Sequence, residues 1–223
     1  MAASSARPGR SRRAAAGLDA AQDSVTDSVR FFDKQFRRQD AAREFALNPF
    51  ELRALPHVDG NVLELGCGLG NLSVAAARKG ARVLALDASP AAIESLVARA
   101  KELQLGIDAR CTDLADYAPP AEFDSVVAIG LFMFFPCDIA RRQFARARAA
   151  VRAGGVIVVN VLIEGTTFMD MFDAERGYCL FTEAELPDAL SGWQMLDDRV
   201  EEFDAPGSTV KRFRTSIARR PAS

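Results

Sequence analysis

Three glycines at alternate positions, Gly66, Gly68 and Gly70, follow a short apolar strand from Val62 to Leu65. A helical stretch ending in Arg78-Lys79-Gly80 comes next. Glycine in such a bend tolerates positive φ and carries no Cβ, so a ligand can approach the backbone closely. The helix that follows turns unpaired N–H groups toward whatever binds there. This is a nucleotide-type binding turn, and its neighbours say which nucleotide. A dinucleotide fingerprint needs its third glycine three positions after the second. Counted from Gly68 that position is Asn71, and the third glycine comes instead at Gly70. Glu64, at the strand end, places a carboxylate just before the glycines. It would repel a pyrophosphate, since like charges a few ångströms apart cost about 1 kcal/mol in water and more when shielded. A ligand with an ammonium or sulfonium centre would be attracted.

S-adenosylmethionine (SAM) carries both cations, joined to an adenosine. Glu-x-Gly-x-Gly-x-Gly after a strand, here Glu64 to Gly70, resembles in full the first motif of the class I SAM-dependent methyltransferases. Ala81 to Leu86 reads as the second strand and ends at Asp87, about twenty residues past the bend, where an acid can bind both ribose hydroxyls. Ser89-Pro90 opens the next helix as N-cap and first helical residue. Ile107 to Cys111 is a short third strand, followed by Thr112-Asp113-Leu114. The resemblance implies that Asp113 accepts the adenine amino group and that the N–H of Leu114 meets the ring; an Asx turn is the alternative for Asp113. It also implies donor-site roles for Cys67, Ala88, Ile129 and Gly130.

The elements that must position these residues follow from the remaining pattern. The chain has 223 residues, with 28 basic and 30 acidic side chains, which suits one α/β domain with a short extension. Such a balance gives no global pull toward nucleic acid or an anionic membrane. The longest apolar run, Val126 to Phe135, is too short to cross a bilayer and reads as a buried strand and its exit. Four scattered cysteines (Cys67, Cys111, Cys137, Cys179) read as reduced, cytosolic thiols rather than bridges or zinc ligands. With His57 as the sole histidine, neither a metal site nor a Ser-His-Asp triad is expected. A small-molecule partner, no nucleic acid, no membrane and a cytoplasmic location are the resulting expectations.

Residues 1–22 read as a disordered basic tail, 23–58 as an N-terminal helical lid and 59–219 as the SAM-binding domain. In the lid, Val25, Val29, Phe32 and Phe36 recur at helical spacing. Phe31-Phe32-Asp33-Lys34-Gln35-Phe36 resembles the aromatic stretch that covers the donor pocket in many small-molecule methyltransferases; docking a helix on the sheet is the alternative. Phe123 to Ile129 is an apolar fourth strand opening into Gly130-Leu131-Phe132-Met133-Phe134 at the carboxyl-end rim, where ligands of doubly wound sheets bind. An arginine-rich helix, Ile139 to Val151, is expected to close at Ala153-Gly154-Gly155 before a fifth strand, Val156 to Ile163. Thr182 to Leu190 should be a helix with a Thr182/Glu185 capping box, and Trp193 to Phe203 with Val210 to Ala218 the final hairpin. The resemblance implies a doubly wound, mostly parallel α/β sheet of seven strands in the order 3-2-1-4-5-7-6, the last strand antiparallel, with helices on both faces.

A closer resemblance, to the tellurite-resistance TehB-like branch, rests on Leu131-Phe132-Met133-Phe134, Ala153-Gly154-Gly155, Gly192-Trp193 and Lys211-Arg212-Phe213-Arg214-Thr215. Acceptor contacts are expected from Phe32, Phe36, Arg37, Phe132, Met133, Thr166 and Phe168, with Arg37 or Arg176 available to an anionic acceptor. Methyl transfer is an in-line displacement that needs a base only for a protonated acceptor; no catalytic residue is assigned, and His57, Asp33 and Asp170 are the imidazole and carboxylates considered for a base. The rival readings are a non-catalytic SAM-binding module of this fold and, against Glu64 and Asn71, a NAD-dependent oxidoreductase.

Overall fold

The computed structural model describes residues 27–172 and 177–222. The basic tail, Val25 and Arg176 lie outside them. Seven strands form one sheet: β1 (Asn61–Leu65), β2 (Arg82–Asp87), β3 (Ile107–Cys111), β4 (Phe123–Ile129), β5 (Val151–Leu162), β6 (Gln194–Ala205) and β7 (Thr209–Arg219). Their order is β3-β2-β1-β4-β5-β7-β6, with β7 antiparallel to both neighbours and the other pairings parallel. This is the expected order.

The strands that sit centrally are the most apolar. In β4 and β5, Val126, Val127, Ile157, Val158, Val159 and Val161 are fully buried, as strands covered on both faces must be. One core face joins Leu63, Val126, Ile157 and Phe144; the other joins Val62, Val127, Val158 and Leu96. The helices are α1 (Asp27–Ala41), which packs on α4, and α2 (Pro49–Ala54), α3 (Asn71–Arg78), α4 (Pro90–Glu102), α5 (Cys137–Ala149) and α6 (Glu185–Ala189). Ser89 caps α4 as its sequence suggests, its Oγ accepting from Ala92 N at 3.2 Å. Asn48 caps α2 in a full capping box: its Oδ1 accepts from Phe50 and Glu51, and Glu51 Oε2 accepts from Asn48 N at 2.7 Å.

Three expectations need correction. Ala153-Gly154-Gly155 does not close α5, which ends at Ala149; it forms an irregular start to β5. Glycine is needed there for close pairing with β4, since a Cβ on Gly155 would lie 2.8 Å from the Asp124 carbonyl oxygen. At Thr182 only half of the capping box forms: Thr182 N donates to Glu185 Oε2 at 3.1 Å, but the helix begins at Glu185 and its N-cap is Ala184. Arg141 also binds the Glu185 carboxylate. The third concerns the cysteines. Cys137 and Cys179 form a disulfide with a Cα–Cα distance of 4.7 Å, while Cys67 and Cys111 are free. The bridge spans 42 positions and is made by the loop after β5 folding back over the exit of β4, which spacing alone does not reveal. Among the described residues no helix is long and apolar enough to cross a membrane.

Candidate functional site

The chain leaves β1 through Gly66 (φ +70°), Gly68 (φ +51°) and Gly70 (φ +67°), all in the left-handed region that glycine adopts without strain. The bend is sewn to the end of β2. Gly66 N and Cys67 N donate to Leu86 O at 2.8 and 3.0 Å, and Gly68 N donates to Asp87 Oδ2 at 2.8 Å. Asp87 Oδ1 accepts from Ser89 N at 2.8 Å, so one carboxylate bridges the glycine turn and the start of α4. Burial pushes the Asp87 carboxyl up, opposed by the N–H groups of Ser89, Gly68 and Ala88.

The glycines divide the labour. A Cβ on Gly68 would lie 3.0 Å from the Phe36 ring, at the cavity wall; one on Gly70 would lie 2.5 Å from Leu96 of α4. Gly70, expected at the donor, is not among the cavity's lining residues; its missing Cβ makes room for Leu96 where α3 packs on α4. Gly70→Ala should therefore lower stability by about 1–3 kcal/mol through overpacking, with donor affinity of the folded fraction unchanged. Gly68→Ala should do the reverse, weakening the donor more than the fold. Thermal melts paired with calorimetry on the two variants check this.

Glu64 is 5% exposed. The Ser73 hydroxyl donates to it, and the Ser73 N–H in the first turn of α3 lies against the same carboxylate. Burial lifts the Glu64 pKa to about 8, with the charges of Glu51 and Asp87 adding to the rise and the Ser73 bonds opposing it. Burial also raises Glu51. Both open, with Asp87, Asp113 and Glu44, onto one cavity of about 760 Å³ at the carboxyl ends of the strands. Among the described lining residues there are five carboxylates and no Lys, Arg or His. No basic side chain among them favours a diphosphate, and the ionised carboxylates favour a cation.

Gly66, Cys67, Ala88, Leu114, Ile129 and Gly130 line the same cavity, as do Phe32 and Phe36 from α1. Asp113 lies in the cavity wall and in an Asx turn together, its Oδ1 accepting from Ala115 N at 2.9 Å. Five expected acceptor residues lie elsewhere. Phe132 and Met133 are 0% and 2% exposed, because the short turn Phe132–Phe134 points them into the core, Phe132 against Phe144. Thr166 is spent on β7, its Oγ1 accepting from Arg212 N at 3.0 Å, and Phe168 lies beneath Lys211 at 4.4 Å. Arg37 is exposed and pairs with Asp33 at 2.9 Å.

The weak base candidates also fall away. Asp33 Oδ1 accepts from Ser89 Oγ at 2.7 Å and Ala91 N at 3.1 Å, fastening α1 to the start of α4. Burial pushes its carboxyl up, but bonds from Ser89, Ala91 and Arg37 outweigh that and hold it below the ordinary range. His57 and Asp170 do not line the cavity. Phe134, expected at this rim, lines it, and so do residues not foreseen: Gln35 and Gln39 on the same face of α1 as Phe32 and Phe36, Asn48 and Glu51 from the α2 cap, and Phe135 after β4. The 32-35-36-39 spacing and Asn48-Pro49-x-Glu51 were the available signals.

Comparison with known proteins agrees with this geometry. A methyltransferase-domain family model matches residues 62–155. A ubiquinone biosynthesis O-methyltransferase of Bradyrhizobium sp. (strain ORS 278) is 31% identical over 186 residues, covering 79% of this chain and 71% of the relative. The chain spans about half the length of several other relatives of that description. Among solved structures, TehB from Haemophilus influenzae superposes with a TM-score of 0.68 at 19% identity, over 78% of this chain and 63% of the other. The 1,6-didemethyltoxoflavin-N1-methyltransferase of Burkholderia thailandensis, solved with that compound and S-adenosylhomocysteine, gives 0.63 at 20% identity over 96% and 94%. A carboxylate-led glycine bend, the 3-2-1-4-5-7-6 sheet and a relative matched along most of both chains have one common explanation: the chain belongs to the class I SAM-dependent methyltransferases.

Proposed function

We propose that this chain transfers the methyl group of SAM to a small-molecule acceptor. The observation that carries the reading is the glycine bend with Glu64 and Asp87 in a cavity whose described ionisable lining is wholly acidic. The donor set fits the ligand: Asp87 for ribose hydroxyls, Asp113 and the Leu114 N–H for adenine, Glu64 and Glu51 for cationic centres, and Gly68 for the close approach a Cβ would block. Bound SAM supplies an electrophilic methyl on a sulfonium. The chain holds, orients and shields: Phe36 covers the bend, and the rings of Phe32 and Phe134 wall the cavity. Positioning of this kind is worth roughly 7–11 kcal/mol.

The Glu64 titration gives the reading a pH signature. With its carboxyl at about 8 in the free protein, a cationic ligand at neutral pH must expel a proton to meet the charged form. Below that value each pH unit should cost the donor about tenfold in affinity, with a plateau above it. Calorimetry in buffers of different ionisation enthalpy reads the released proton directly.

Release of S-adenosylhomocysteine across a panel of amines, phenols, thiols, carboxylates and chalcogen oxyanions tests the transfer. The panel spans oxygen and nitrogen nucleophiles because relative and structural neighbour are an O- and an N-methyltransferase. Acidic walls predict neutral or cationic acceptors ahead of oxyanions. Tight donor binding with no release from any acceptor would instead mark a non-catalytic SAM-binding module.

A further inference from the structure

A line of rings leads away from the glycine bend. Phe36 lies over Gly68; Phe32, one turn earlier on α1, stacks on Phe36 with centroids 5.9 Å apart. Phe32 meets Phe134 edge-on at 5.0 Å, Phe134 meets Phe172 at 5.5 Å, and Phe172 stacks on Tyr178 at 4.6 Å and 16°. Of these, Phe36, Phe32 and Phe134 line the cavity, and Phe134 is the ring farthest along the series from the bend. Phe172 and Tyr178 stand behind it. Next to Tyr178 comes Cys179, bonded to Cys137, which itself follows the cavity residue Pro136. Cys179 N donates to Met133 O at 3.0 Å, and a Cβ on Gly177 would lie 3.8 Å from Pro136. The bridge thus pins the strip 177–181 against the turn that presents Phe134.

Resting on the proposed methyltransferase reading, we infer that Phe134 is the acceptor-side wall of the cavity. Phe172, Tyr178 and the Cys137–Cys179 bridge are then positioning residues that hold it in place. Cofactor and acceptor ends are supported by separate devices. Glu64, Asp87 and the glycine bend depend on hydrogen bonds among β1, β2, α3 and α4, none of which involves the bridged strip. Opening the bridge should loosen acceptor selection and leave donor affinity intact. The opening itself is thiol–disulfide exchange with a dithiol: two electrons and two protons pass to Sγ of Cys137 and Cys179, and the dithiol becomes a cyclic disulfide. Under an oxidising poise the reverse step resets the wall.

The test uses the full chain, oxidised and after dithiothreitol, with thiol titration showing two more thiols in the reduced form. Native-state hydrogen exchange is followed at Phe134, Phe135, Cys179 and Phe181, whose N–H groups all bond within this region. Exchange there should rise by about tenfold or more on reduction. Exchange at Gly66 to Gly70 should rise less than at those four positions, and calorimetric affinity for SAM should stay within about twofold. Tyr178→Ala in the oxidised protein should reproduce the faster exchange at Phe134 and Phe135, and Tyr178→Phe should not. With the first acceptor found to release S-adenosylhomocysteine, reduction should raise KM far more than it lowers kcat. Unchanged exchange at Phe134 on reduction, or an equal loss of SAM affinity, overturns the inference. Failure of the oxidised, unmutated protein to bind SAM at all would instead sink the underlying functional reading.

Discussion

Glu64→Gln should weaken SAM binding by about a hundredfold at neutral pH while leaving the fold intact. A charge pair a few ångströms apart in a partly shielded site is worth about 4 kcal/mol. Part of that is spent ionising a carboxyl that sits near 8, about one unit above neutrality, leaving nearly 3 kcal/mol, or about two orders of magnitude. Glutamine keeps an oxygen to accept from Ser73, so the start of α3 stays capped and the loss reports charge. Stability should move the other way. The folded carboxyl binds its proton more tightly than an unfolded one, so between the ordinary carboxylate range and about pH 8 the native state holds more protons and loses stability as pH rises. The variant lacks that loss. Its melting temperature should exceed the parent's above pH 8, with the gap closing toward pH 5. Differential scanning calorimetry over that range, beside isothermal titration with SAM, separates the two effects.

The second large effect is on stability. The Cys137–Cys179 bridge closes a loop with a sequence separation of 42, which the chain-entropy account values at about 4 kcal/mol. Cys137→Ser or Cys179→Ser should lower the melting temperature by about 10 °C in a chain of this size, and dithiothreitol should do the same to the unmutated protein but nothing to the variants. Cys111→Ser, at an exposed free thiol, should be silent. A parent melting curve indifferent to reductant would show that the bridge contributes no stability.

How much of this was legible in advance depended on whether the physics was local. Glu64, the glycine spacing, Asp87 and Ser89-Pro90 are short-range signals, and each stands where the pattern places it. Strand order followed from the family resemblance. Gly70 shows the limit of motif reading: its spacing marks a ligand turn, yet its missing Cβ makes room for Leu96, a tertiary neighbour no spacing reveals. Phe132 and Met133, expected at the acceptor, are buried for a related reason. A short turn after β4 sends this consecutive pair into the core and leaves the next pair, Phe134 and Phe135, at the cavity, and that phase is set by packing against α5. The disulfide was invisible because a long return of the chain, from β5 back over the β4 exit, makes the pair. Glu51 could have been found: its capping box is plain in the sequence, but only the tertiary fold puts that carboxylate on the same cavity as Glu64.

Titration calorimetry of the purified chain with SAM, S-adenosylhomocysteine and NADH in parallel bears most directly on all of this. The account predicts saturable binding of both sulfur nucleosides, a proton released with SAM below about pH 8, and no heat from the dinucleotide. Silence from SAM at millimolar concentration, or saturable binding of NADH in the same cavity, would contradict it.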